Sequence, residues 1–179
     1  MPTPFVIDPT DADFEFLKAA GYMPVLELPT LAFKRLTPDA ILPTKGTTGA
    51  ACYDLYSATE VVMAQHRLVV TVPTGIAVRI PEGHVGMVCS RSGLASKERM
   101  FVVNSPGIID EDYRGEIKVI LGMLPSELVW PSLAATTLPK GSRIAQLMVM
   151  PLPMLNVVEE LGDFDTTERG SNGLGSTGV

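Results

Sequence analysis

Asn104-Ser105-Pro106-Gly107-Ile108-Ile109-Asp110-Glu111-Asp112-Tyr113-Arg114-Gly115-Glu116 is the stretch whose reading decides the fold. Two apolar runs bound it, Met100–Val103 and Ile117–Leu121, and turn formers sit at Ser105-Pro106-Gly107 and at Gly115. That punctuation predicts a hairpin. Asp110 and Asp112 are two positions apart, so in a strand they share one face. Two carboxylates on one strand face repel each other, which leaves two readings. One is an acidic hairpin tip in water, since charged turns are common. The other is a site that uses the charge.

The wider composition supports a β reading. The chain has 179 residues, 46% of them hydrophobic, with 15 prolines and 16 glycines. One domain of short apolar runs between turn formers predicts an all-β fold. A net charge of −6 argues against a nucleic-acid groove, which needs clustered Lys and Arg. It still permits a small polyanion held by a few local arginines. Cys52 and Cys89 have no metal-like spacing and are expected to be buried, reduced thiols, which suits the cytoplasm. No signal peptide is read at the start, and no apolar run reaches about 18 residues, so no membrane span is expected.

Upstream of the opening stretch, strands are expected at Leu31–Leu36, Ala50–Ala58, Val61–Met63, Arg67–Val72, Thr74–Ile80 and Val85–Cys89. Turns every 8–12 residues fit a sandwich, barrel or jelly roll. Asp54 lies inside an apolar run and must be paired or functional. Ser90–Lys97 carries Arg91, Ser92 and Gly93 ahead of a helical turn. An Arg fork, a hydroxyl and free backbone N–H groups suit phosphate oxygens, although Arg-Ser-Gly is also an ordinary loop. Residues 1–28 read as an extension with one short helix, capped by Thr10 and stopped by Gly21. It is either a structural arm or a surface for a protein partner.

Downstream, 122–139 reads as a connection around Trp130, and Lys140–Met150 as a strand in which Gln146 needs partners. A last strand is expected at Leu155–Glu160. The end of the chain, Glu168–Val179, is Gly-rich with few apolar residues and cannot hold itself folded. It is either a disordered tail or a flexible arm that orders over an anion. The boundaries are 1–28 for the extension, 29–162 for the β domain and 163–179 for the arm.

Taken in order, Tyr53–Ser57, Arg91–Ala95, Gly107–Gly115, Gly141–Leu147 and Arg169–Gly178 resemble the five motifs of the homotrimeric dUTPases, over about Leu31 to Val179. The resemblance implies a jelly-roll or distorted β-barrel domain, assembled as a homotrimer with sites shared between subunits. It implies hydrolysis of dUTP to dUMP and pyrophosphate with Mg2+, which keeps uracil out of DNA and supplies dUMP for thymidylate synthesis. Asp110 would be the general base for a water attacking the α-phosphorus, a role that requires hydrogen-bond reach of that water. Tyr113 would lie under the deoxyribose and exclude a ribose 2′-hydroxyl. Backbone around Gly107, Ile109 and Lys118, with the Asn104 amide, would read uracil. Cytosine inverts that donor and acceptor pattern and would leave groups unpaired, at about 1–3 kcal/mol each. Arg91, Ser92, Gly93 and Gln146 would hold the α- and β-phosphates. Asp54 would order the water shell of Mg2+, which keeps several waters. Arg169, Leu174, Gly175 and Ser176 belong to the closing arm, with Arg169 and Ser176 over the γ-phosphate.

Three positions depart from or qualify that pattern. Leu174 stands where the family usually stacks an aromatic residue on the base, a contact worth about 1–3 kcal/mol. Ser142 stands where an acidic residue is common. A related reading, dCTP deamination on the same fold, needs a glutamate where this chain has Ile120, and no Glu lies between Ile117 and Leu124. A third reading adds a regulatory, partner-binding role to the extension. Asp112 is expected to pair with an arginine such as Arg114 or one from a neighbouring chain.

Overall fold

The computed structural model describes residues 28–64, 68–124 and 136–171. Among the described residues, ten strands and one helix follow in order: β1 Ala32–Arg35, β2 Tyr53–Tyr56, β3 Val61–Met63, β4 Val69–Arg79, β5 His84–Cys89, α1 Ser92–Glu98, β6 Met100–Val102, β7 Gly107–Ile109, β8 Glu116–Met123, β9 Thr136–Leu138 and β10 Arg143–Pro151. They form two antiparallel four-stranded sheets, β1-β4-β8-β6 and β2-β10-β5-β7, and a ribbon β3-β9. The all-β expectation holds as a jelly-roll-like sandwich, and closure into a barrel is not needed.

The core follows from period-two alternation. In β8, Ile117, Val119 and Leu121 are buried, while Lys118 is exposed and Glu116 and Ile120 are half-exposed. They meet Leu55, Ile144 and Leu147 of the facing sheet in one buried cluster. Each fully buried aliphatic side chain there contributes about 1.5–3 kcal/mol against exposure. Thr74 is buried among them, and its hydroxyl donates to the Ile117 carbonyl at 2.6 Å, which removes the cost of an unpaired polar group.

Several expectations change. The two runs Arg67–Val72 and Thr74–Ile80 belong to one strand, β4, carried past Pro73 by a bulge. Its register against β8 shifts between Pro73 and Ala77, with Gly75 at φ 69°. A Cβ on Gly75 would stand 3.0 Å from that of Ala40, so glycine serves both the positive φ and the close approach. The predicted strand Leu155–Glu160 is absent: 152–160 is exposed and irregular, and after the Leu152 N–H donates to the Gly83 carbonyl at 2.7 Å it joins no strand ladder among the described residues. The connection 122–139 contains the end of β8 and all of β9. Cys52 and Cys89 are free but only half-buried. Burial pushes the Cys89 thiol up from its ordinary 9.0, with the Cys52 charge adding to the shift. The short helix expected within 1–28 falls outside the described residues.

The opening stretch changes most. β6 and β8 do pair, from Met100↔Met123 to Val102↔Leu121. Between them the chain crosses to the other sheet, where β7 pairs with β5 from Val88↔Gly107 to Gly86↔Ile109. Asp110 and Asp112 therefore lie in a turn after β7, closed by the Tyr113 N–H on the Asp110 carbonyl at 3.1 Å. They do not share a strand face. Sequence periodicity cannot show that a hairpin's tip has joined a second sheet.

Candidate active site

That crossing creates a gap. β7 is an edge strand, bonded on one side to β5. On β8, residues 116–119 run beyond the last β6 pair. Two backbone edges therefore border one cleft of about 190 Å³, lined by Asn104, Gly107, Ile109, Asp110, Tyr113 and Lys118, with Glu116, Ile120 and apolar neighbours. Six of the residues singled out in the sequence come together here. Asn104 lies against Gly107, where a Cβ would stand 3.0 Å from the amide Nδ2. Tyr113 is 43% exposed, and its hydroxyl donates to the Glu116 carbonyl at 2.9 Å. Among the described residues, the Asp110 carboxylate is exposed at this cleft with no ion pair or hydrogen bond. A carboxylate so placed can accept a proton from a bound water.

A second cluster lies on β2, β10 and the end of β5. Asp54 and Gln146 are cross-strand partners, and Gln146 also faces Cys89. Asp54 accepts from Arg91 Nε at 2.8 Å and from Arg143 Nη1 at 3.2 Å. Arg91 Nη1 also donates to the Arg143 carbonyl at 3.0 Å. Arg91 is the residue before α1 and makes no side-chain cap to it, so its fork is available to Asp54. Gln146 Nε2 donates to the Ser90 carbonyl at 2.9 Å, and Ser90 Oγ accepts the Val102 N–H at 2.9 Å. Both polar residues flagged inside apolar runs thus have partners. Ser92 and Gly93 are exposed at the start of α1, and a Cβ on Gly93 would meet nothing within 4 Å.

No residue of this second cluster lines the cleft, although the two meet along β5: Val88 pairs with Gly107, and the next residue, Cys89, pairs with Gln146. Arg169 is exposed in a turn that closes with the Gly170 N–H on the Thr167 carbonyl at 3.1 Å. Leu174, Gly175 and Ser176 fall outside the described residues. The expected Asp112–Arg114 pair is not formed. Arg114 instead donates to the carbonyls of Glu111 and Tyr113, because the turn directs these oxygens toward the guanidinium. Three contributors were missed in the sequence: Arg143, Gly115 and Glu116. Arg143 stood three residues before Gln146 in the fourth motif, and a charge opening an apolar strand was the available signal. Gly115 and Glu116 gave none beyond a turn.

Among the described residues no three His, Cys, Asp or Glu side chains gather to hold a metal ion. Asp54 already serves two guanidiniums, so the donor set does not fit an ion held by protein alone. It does fit Mg2+ carried by phosphate oxygens, with Asp54 reached through water, since Mg2+ usually keeps several waters and takes one or two carboxylates.

The comparisons agree with this geometry. A sequence model of the dUTPase family matches residues 38–178. The chain is 44% identical over 149 residues to deoxyuridine 5′-triphosphate nucleotidohydrolase of Hydrogenobaculum sp., covering 83% of this chain and 98% of that one. It is 46% identical over 154 residues to the protein of that name from Mycolicibacterium vanbaalenii, covering 83% and 95%. Among solved structures it resembles a mutant dUTPase of Staphylococcus bacteriophage 80alpha with dUpNHpp, at 28% identity and a TM-score of 0.71, covering 84% of this chain and 99% of that one. A mutant dUTPase of phage phi11 of S. aureus, described with a structural Mg(II) ion, matches at 27% identity and a TM-score of 0.60, over 74% and 98%. The fold and its cleft define an all-β nucleotide hydrolase. The chain belongs to the dUTPase family.

Proposed function

We infer that this protein hydrolyses dUTP to dUMP and pyrophosphate. The observation that carries the reading is the unpartnered Asp110 carboxylate beside a cleft bordered by two backbone edges. Asp110 accepts a proton from water as the water oxygen attacks the α-phosphorus. The bond to the bridging oxygen breaks, and pyrophosphate leaves with that oxygen. The free edge of β7 at Gly107 and Ile109, the β8 backbone at Lys118 and the Asn104 amide read uracil. Tyr113 packs under the deoxyribose. Arg91, Ser92, Gly93 and Gln146 hold the α- and β-phosphates, and Arg169, Gly175 and Ser176 close over the γ-phosphate. Mg2+ carried by the triphosphate would supply charge neutralisation, and Asp54 would reach it through water.

Within one chain the phosphate cluster does not line the cleft, which supports a homotrimer in which one subunit's cleft faces another's phosphate cluster. The exposed apolar side chains Leu152, Leu155, Val157, Val158, Leu161 and Phe164 support the same assembly, since so much apolar surface on one segment marks a contact. The cytoplasm is the proposed compartment, and the 1–28 extension is the proposed site of any added protein partner. Leu174 in place of an aromatic residue predicts a higher KM for dUTP, and Leu174→Phe should lower it; an unchanged KM would remove the idea. Ile120 lines the cleft where deamination would need a glutamate, so the deaminase reading is not favoured.

The test is pyrophosphate release from dUTP, dCTP, dTTP and UTP in parallel, repeated with Asp110→Asn. Turnover of dUTP alone, lost in the variant, is expected. Equal rates on all four would overturn the specificity, and ammonia released from dCTP would restore the deaminase reading.

A further inference from the structure

We propose that Glu116 is a positioning residue for sugar discrimination, fixing Tyr113 through the bulge in β4. The proposal rests on the dUTPase reading of the same cleft. Tyr113 is 43% exposed, so packing alone does not hold its ring. Two contacts do. Its hydroxyl donates to the Glu116 carbonyl at 2.9 Å. Its ring lies against Gly115, where a Cβ would stand 2.5 Å from the hydroxyl oxygen and 2.7 Å from Cζ. No side chain fits at 115 without moving the ring.

Residue 116 is itself held by its side chain. Glu116 opens β8 opposite Ala77, one end of the bulge. Its Oε1 accepts the Gly75 N–H at 2.8 Å, and Gly75 is the residue of positive φ within the bulge. Its Oε2 lies 4.0 Å from Lys118 Nζ, and the side chain is 24% exposed. The path therefore runs from bulge to carboxylate, from carboxylate to the residue 116 backbone, and from its carbonyl to the tyrosine that borders the sugar. A ring displaced by a fraction of an ångström admits a 2′-hydroxyl that the fixed ring excludes, because steric exclusion depends on position more than on attraction.

The experiment compares kcat/KM for UTP and dUTP in the wild type, Glu116→Ala, Glu116→Gln, Tyr113→Phe and the Glu116→Ala/Tyr113→Phe double variant. Losing one link is expected to raise the UTP-to-dUTP ratio about tenfold, the scale of one hydrogen bond. Glu116→Gln keeps an acceptor oxygen for the Gly75 N–H and should restore the wild-type ratio. The double variant should match the single ones, since both links lie on one path. An unchanged ratio in Glu116→Ala, or no rescue by Gln, overturns the proposal. Should Glu116→Ala fail to fold, an unchanged ratio in Tyr113→Phe does the same. Absence of dUTP turnover in the wild type would instead sink the underlying reading.

Discussion

Asp54 lies within β2 and Asp110 in the turn just after β7, and the surroundings of the two aspartates are opposite. Asp54 is 13% exposed in its side chain and clamped by Arg91 and Arg143. Asp110 is exposed at the cleft, and among the described residues nothing holds it. A carboxylate between two guanidiniums is committed to structure and fixes the position of both. A carboxylate without a partner is free to take a proton. The difference teaches that charge pairing separates a carboxylate committed to structure from one left open to react, the division that the proposed roles of Asp54 and Asp110 require.

The largest effect should come from the open member. Asp110→Asn keeps size and loses basicity, so dUTP turnover should fall about 10²–10⁴-fold, the usual contribution of a general base. Pyrophosphate release measures it, and a loss under about tenfold would break the comparison. Its thermal stability should barely move, since exposed substitutions stay within about 0.5 kcal/mol.

Asp54→Ala should do the reverse in emphasis. It leaves two guanidiniums facing one another and should cost about 1–3 kcal/mol of stability, the penalty of unpaired partners. Thermal unfolding reads this, and a Tm equal to that of Asp110→Asn would erase the distinction. Next in size is Gly107→Ala, which pushes on the Asn104 amide 3.0 Å away. About a tenfold rise in the KM for dUTP is expected, the scale of one misplaced hydrogen bond, with Asp110 chemistry retained.

The smallest effect concerns a third, fully exposed carboxylate. A hydrogen bond from Lys140 holds the Asp39 carboxyl below its ordinary 3.8. A lowered folded value means that its stabilisation is present above the ordinary value and lost as pH falls through the depressed one. Lys140→Ala should move the Asp39 titration, followed by carboxyl NMR, up toward 3.8. No movement would show that the Thr37 hydroxyl and the Asp39 backbone N–H suffice.

The sequence by itself determined the all-β class, most strand positions and most of the residues that gather in the two clusters. Alternation in Ile117, Val119 and Leu121 dictates which face is buried, and a charge such as Asp54 within an apolar run demands a partner. These are local consequences of strand geometry and desolvation. Only the tertiary structure decided that the hairpin tip joins the opposite sheet as β7, which opens the cleft and places Asp110 in a turn. Only it decided that Arg143 shares Asp54, that Arg114 turns to backbone carbonyls rather than Asp112, and that Glu116 reaches the bulge at Gly75. Each depends on strands distant in sequence meeting in a particular register, and register is set by packing two sheets together, which a one-dimensional pattern does not encode.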